Sequence, residues 1–174
     1  MFIGGRAVIF STLLGALGAK KLAMRDDAKL YNTDKERSLY TMQDESYFDL
    51  ARESADAGMA IDIFACTHQY FDIATHGAIS AITGGSIYYH PRFSSETDGE
   101  RLHFQFLRIM TRKIGMQAHM RARVSKGLSV SDYYGNYKRA SPTDIAVGGI
   151  DCDKAFTVFI KHDEKLKEET PMYM

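Results

Sequence analysis

The sequence predicts an α/β chain: a parallel, helix-covered sheet that passes into part of an antiparallel β-sandwich or barrel. Three observations carry that prediction. Apolar runs and helix-period segments alternate strand, helix, strand, helix, strand, helix up to about residue 116, the order that builds a parallel sheet. The middle run, "MAIDIFAC", is almost wholly apolar, as a strand buried on both faces must be. Beyond residue 117 the period changes to two, which implies a sheet with one wet face and antiparallel pairing.

The elements follow in order. "GGRAVIFST" reads as a first, buried strand. A connection containing Gly15, Gly18, Lys20 and Lys21 leads to a charged stretch around "NTDKER". From about Asp44 to Ala57, the residues Tyr47, Leu50, Ala51 and Ala55 share one helical face, and Gly58 stands where a C-terminal glycine ends a helix. "MAIDIFAC" is the second strand. Phe71, Ala74, Ala78 and Ile82 mark a short, mostly buried helix. "GGSIYYH" is the third strand, with Ile87 and Tyr89 on one face, Tyr88 and His90 on the other, and Pro91 ending the pairing. Thr97 and Glu100 suggest a capping box for a helix whose apolar face holds Leu102, Phe106, Ile109, Met110 and Ile114, closed by Gly115. In "QAHMRARV", Ala118, Met120, Ala122 and Val124 alternate with Gln117, His119, Arg121 and Arg123. "AFTVFIKH" alternates in the same way, with Phe156, Val158 and Ile160 against Thr157, Phe159 and Lys161.

Composition narrows the function classes. The chain has 174 residues, with 22 Lys plus Arg balanced by 22 Asp plus Glu, so no global basic excess points to nucleic acid. Two cysteines, Cys66 and Cys152, are too few for a disulfide framework, which favours a reducing, intracellular setting. No apolar run reaches the roughly 18 residues that span a bilayer, and "MFIGGRAVIF" lacks the layout of a signal peptide. Both ends read as cut, so a fragment of a longer protein is expected.

Enzymatic signatures are weak. A phosphate-binding loop needs Gly, four residues, then Gly-Lys-Ser/Thr, so that backbone N–H groups, a cation and a magnesium-binding hydroxyl converge. Here Gly15 and Gly18 are three apart and Lys21 is followed by Leu22. A small α/β enzyme that holds phosphate at this loop is the alternative reading. Cys66-x-His68 matches no common zinc spacing. His76, in an apolar helix, reads as a hydrogen-bonded core histidine. Asp62, in a buried strand, is either a catalytic carboxylate or the partner of a helix end or a cation. No catalytic, cofactor-binding or metal-ligating residue is assigned.

Charge distribution says more than total charge. From Arg101 to Ser131 there are seven cations (Arg101, Arg108, Arg112, Lys113, Arg121, Arg123, Lys126) and no Asp or Glu; most of the acids lie around Asp26 to Asp56 and from Asp151 onward. Arg112, Lys113, Arg121, Arg123 and Lys126 are therefore candidates for contact with an anionic surface, either lipid headgroups or an acidic peptide signal. The alternative is a solvated face whose arginines pair with carboxylates elsewhere in the fold.

The stretches "YFDIATHGAISAITGGSIYYHPRF", "MTRKIGMQAHMRARVSKGLSVSDYYGNY" and "NTDKE" together resemble the cargo-adaptor subunit of the COPII inner coat. The likeness runs from about Gly4 to His162. The sister subunit, which activates the coat's small GTPase, lacks the Ser-Ile-Tyr-Tyr run after Thr-Gly-Gly. The resemblance implies that residues 1–116 are the second half of a von Willebrand A-like trunk domain and residues 117–174 part of a β-sandwich. It further implies a vesicle-coat component without enzymatic activity, cytoplasmic and peripheral on endoplasmic-reticulum membranes and COPII vesicles. Its implied work is cargo selection and coat assembly in transport from endoplasmic reticulum to Golgi. The implied partners are the sister subunit, the small GTPase, cargo proteins and the anionic membrane surface. The family's zinc finger would lie outside this chain, and the Asp-x-Ser-x-Ser metal motif of typical von Willebrand A domains is absent, so no cofactor is implied here.

Overall fold

The computed structural model describes residues 4–25, 28–164 and 173. Asp26 and most of the final stretch "EETPMYM" lie outside the described residues. Strands β1 (Gly5–Ser11), β2 (Met59–Thr67) and β3 (Ile87–Pro91) form a parallel sheet in the order β1-β2-β3. Helices α1 (Ser46–Asp56) and α2 (Ile73–Thr83) cover one face and α3 (Ser95–Thr111) the other. Strands β4 (Ile114–Arg121), β5 (Leu128–Tyr134), β6 (Lys138–Arg139), β7 (Asp144–Asp151) and β8 (Thr157–His162) follow, as antiparallel sheets β4-β7-β6 and β5-β8. The family-level expectation of a parallel α/β unit followed by antiparallel sheets is met.

Strand β2 is the spine of the first unit. Its odd residues Ile61 and Ile63 pack with Ala51 of α1 and Ile79 of α2. Its even residues Phe64 and Cys66 pack with Ile109, and with Leu102 and Phe106, on α3. Phe64 is fully buried between Phe10 at 5.0 Å and Tyr88 at 4.6 Å, ring centre to ring centre. Removal of such a side chain costs about 3–5 kcal/mol, because the cavity it leaves collapses only in part.

Several boundaries and faces differ from the sequence-based expectation. β1 was expected to be buried, but it is the edge of the sheet, so Phe10 remains 54% exposed. On α1 the buried contact is Ala51, whose small side chain lets the helix approach β2, while Leu50 points outward. On α2 the buried residues are Thr75, Ile79, Ser80 and Thr83, with Ile82 half-buried against the same core as Ile79 and Ala74 and Ala78 half-buried beside them. α3 starts three residues upstream of the Thr97 capping box: Ser94 accepts from the Glu96 N–H and donates its own N–H to Asp98. Gly115 does not close this helix. Arg112 is already extended, and Ile114 and Gly115 pair with Asp151 and Ile150 of β7. Strands β5, β6 and β7 were not foreseen.

The Thr-Gly-Gly-Ser segment joins the two units. Gly84 ends α2 at φ 78° and donates to the Ser80 carbonyl, and Gly85 donates to the same oxygen. A side chain on Gly85 would collide with the Ile61 carbonyl. From the antiparallel sheets, Asn136 donates to the Gly85 carbonyl at 2.9 Å and Lys154 donates to it at 3.0 Å. Gly148 and Gly149 let β7 abut β2, where any Cβ would meet Met59 or Ala60.

Gly85→Ala should therefore destabilise the fold by about 2–3 kcal/mol through overpacking. Gly99→Ala, on an open turn of α3 with nothing within 4 Å of the added carbon, should instead stabilise it by about 0.5–1 kcal/mol. Urea denaturation of both variants checks the opposite signs.

Candidate interaction surface

The cations singled out by the sequence divide into two populations, and the antiparallel register is what divides them. β7 runs against β4 so that Ile114 faces Asp151 and Arg121 faces Asp144. The acids at the two ends of β7 thus lie against the basic stretch.

At the junction of the two units the ion pairs are buried. Arg6, on β1, contacts Asp62 at 2.6 Å and Asp151 at 3.0 Å, and donates to the Ile109 carbonyl at 3.1 Å. Arg112 contacts the same Asp151 oxygen at 2.9 Å and Asp153 at 2.6 Å. The Asp62 and Asp151 side chains are wholly enclosed. Burial pushes the Asp62 carboxyl above its usual range; Arg6 and the Ser86 N–H oppose that shift without cancelling it. Burial also works to lower the Arg112 pKa, and Asp151 with Asp153 more than offsets it. Lys154 is pushed below the usual lysine range by burial. Asp62 is thus the partner of a cation. Its carboxylate is closed off from solvent.

Arg112 must be removed from the outward strip. Its side chain is only 7% exposed and serves the junction. Arg108 is exposed but forms a two-point fork on Asp153, at 2.7 and 2.6 Å. Arg121 is exposed and holds Asp144 in the same two-point manner. Lys113, Arg123 and Lys126 lie at the surface, and among the described residues no ion pair involves them. The alternation read for "QAHMRARV" holds in exposure: His119, Arg121 and Arg123 face outward while Ala118, Met120, Ala122 and Val124 are half-buried. Arg121 and Arg123 border a cleft of about 310 Å³ with His119, Ala140, Ser141 and Asp144.

A second concavity was invisible in the sequence. Phe48 of α1 and Tyr133, Tyr134 and Tyr137 from β5 and the following turn line a cleft of about 480 Å³, with Arg52 stacked 5.6 Å over Phe48. These residues are far apart in the chain, and no local spacing links α1 to β5.

The remaining candidates have structural roles. His76 is held by the Asp72 carbonyl at 2.9 Å and stacks on Phe71 at 4.4 Å. Cys66 is buried, and burial raises its thiol pKa. Among the described residues, no three His, Cys, Asp or Glu side chains converge as a metal site. The loop after β1 does not open into a helix: it runs through two short 3-10 turns, Ala28–Leu30 and Glu36–Tyr40, before α1 begins at Ser46. A phosphate cradle needs a helix N-terminus at this point, so the phosphate-binding alternative loses its geometry. The loop is instead clasped by Asp72, which accepts from Arg25 at 2.8 Å, Gln43 at 2.6 Å and the Thr75 hydroxyl at 2.7 Å. Burial opposes ionisation of Asp72, and these donors outweigh it, holding the carboxyl below its usual range. The clasp therefore stabilises the fold above the ordinary carboxylate pKa and is lost as pH falls through the lower, folded value.

Asp151→Ala should strand Arg6 and Arg112 without their shared carboxylate. Loss of one partner from a buried ion cluster costs about 3–5 kcal/mol, whereas Lys113→Ala should leave the melting temperature unchanged. Thermal denaturation of the two variants side by side checks the contrast.

Among the described residues, no helix is long and apolar enough to cross a membrane. The family model of the Sec23/Sec24 trunk domain matches residues 1–110, and that of the Sec23/Sec24 beta-sandwich domain matches residues 115–174. The human protein transport protein Sec24C is 39% identical over 167 residues, covering 95% of this chain and 15% of that protein. The Arabidopsis thaliana protein transport protein SEC24 A is 36% identical over 172 residues, covering 98% of this chain and 17% of that protein. The crystal structure of the human COPII-coat protein Sec24c superposes with a TM-score of 0.94 at 37% identity, covering 98% of this chain and 23% of that one. The chain thus spans about a sixth of the length of these curated relatives. Two family models that together take in nearly every residue, backed by relatives at this identity, place the chain in the Sec23/Sec24 trunk and β-sandwich family.

Proposed function

We propose that this chain is the trunk and β-sandwich portion of a COPII coat adaptor. It would act in transport from endoplasmic reticulum to Golgi by protein–protein and membrane-surface contacts, with no covalent step. The observation that carries this reading is the likeness over nearly the whole chain to relatives whose names describe protein transport. The geometry agrees in kind. The polar residues at the centre of the molecule are committed to joining two structural units, which leaves shape and charge at the surface as the means of recognition. The partners in this reading are the GTPase-activating sister subunit, the coat-recruiting small GTPase, cargo proteins and the anionic endoplasmic-reticulum surface, and no cofactor enters it.

Co-purification tests the coat assignment. Tagged protein incubated with the purified sister subunit should retain it on the affinity resin. Micromolar ATP or NAD binding abolished by Lys20→Ala, with no retention of that subunit, would sink the scaffold reading.

Within this function, Arg123 and Lys126 are, among the described residues, the exposed, unpaired cations past the end of β4, near Arg121, and Lys113 is a further one before its start. Each cation near an anionic bilayer contributes about 1 kcal/mol. Arg123→Glu combined with Lys126→Glu should accordingly reduce co-sedimentation with phosphatidylserine-containing vesicles by about tenfold or more. High salt should weaken the wild type in the same direction.

A further inference from the structure

The outward face of β4 carries a cation that is already occupied. Arg121 and Asp144 are cross-strand partners, and the guanidinium grips the carboxylate through both its Nε and an Nη. Asp144 also accepts from the Thr143 hydroxyl at 3.2 Å. Two residues on, Arg123 borders the same cleft, and no hydrogen bond or ion pair ties it among the described residues. The strip therefore contains one cancelled cation next to free ones. Arg121, moreover, is cancelled by the kind of group an anionic partner would offer. A guanidinium fork accepts a carboxylate or a phosphate through the same two parallel hydrogen bonds.

We propose that Asp144 is a resident competitor for Arg121, an autoinhibitory contact that holds down the affinity of this face for anionic membrane until a headgroup phosphate takes the carboxylate's place. The inference rests on the reading of the strip as a membrane-facing surface. The Arg121 side chain is 53% exposed and that of Asp144 21% exposed, so a competing anion can reach the guanidinium from solvent, and water and salt screen the pair. As an anionic bilayer approaches, Asp144 is repelled and Arg121 attracted, so both partners are driven the same way. The exchange swaps one bidentate acceptor for another, and β4 and β7 need not move, because their backbone pairing is independent of the side-chain contact. A planar bilayer suits the face better than a single side chain does: His119 and Arg121 are exposed on β4, Arg123 is exposed just past its end, and Lys126 lies beyond. Asp144 is not a pH switch, since Arg121 holds its carboxyl well below the usual range and it stays ionised at any physiological pH. What releases Arg121 is a competing anion.

The test is co-sedimentation with phosphatidylcholine vesicles containing phosphatidylserine. Asp144→Asn removes the competitor and one negative charge, and should bind about five- to tenfold tighter than wild type. Asp144→Ser should move in the same direction, and both should melt as wild type does. Asp144→Asn should have little effect in an Arg121→Gln background but keep its gain of about five- to tenfold in an Arg123→Gln background, whereas a general loss of negative charge would give the same gain in both. If Asp144→Asn binds no tighter while Arg123→Glu with Lys126→Glu still weakens binding, the competitor idea is overturned and the membrane-facing strip stands. If the Arg123 and Lys126 reversals change nothing, the strip reading itself falls. Should Asp144→Asn gain affinity for a soluble glutamate-rich peptide but not for vesicles, the assignment to lipid is wrong.

Discussion

The fold depends on one shared carboxylate. Asp151 sits at the end of β7 with its side chain wholly enclosed, and it meets Arg6 from β1 and Arg112 from the end of α3. Three segments that are remote in sequence therefore converge on a single acceptor. Two guanidinium groups and two enclosed carboxylates, with Asp62 completing the set, are expensive to take out of water unless every partner is present. The cluster thus tolerates little change in how the two units sit against each other. Asn136 and Lys154 reinforce this by donating to the Gly85 carbonyl, so the antiparallel part reads the turn that follows α2.

This arrangement explains why a neutral chain can look locally basic. The acid-free stretch from Arg101 to Ser131 is complemented by β7 and the turn after it, which return Asp144, Asp151 and Asp153 to the same region of space. Two of these acids serve the junction and its margin. The third cancels an outward arginine. Among the described residues, the exposed, unpaired cationic surface is smaller than the sequence suggests, and an aromatic cleft lies between α1 and β5 that local spacing does not reveal. Both lie outside the buried junction.

Legibility varied with the range of the interactions involved. The three parallel strands and their helices were readable, because burial of β2 on both faces imposes an apolar run and each helix must turn one stripe inward. Gly58 was readable as a helix end, since the left-handed backbone there favours glycine. The errors arose where neighbours decide the outcome. Leu50 carries more apolar surface than Ala51, yet Ala51 is inside because close approach of α1 to β2 rewards the smaller residue. Gly115 looked like a helix end and is a strand residue, because pairing with β7 takes over at Ile114. Strand β7, "DIAVGGID", escaped notice because its two glycines break the apolar alternation, and they are needed only where β2 presses against it.

The sequence by itself determined the class of the protein: a parallel α/β unit, a period-two unit after it, the glycine that ends α1, and the family resemblance its motifs carry. These are properties of local pattern, set by strand and helix periodicity and by backbone conformations open to glycine. Only the tertiary structure decided which cations are exposed and unpaired. Arg112 and Arg123 are both arginines in the same basic run, and one is enclosed while the other is free. The difference lies in what the antiparallel register places opposite each of them, because an ion pair is made across space between groups whose separation along the chain carries no information.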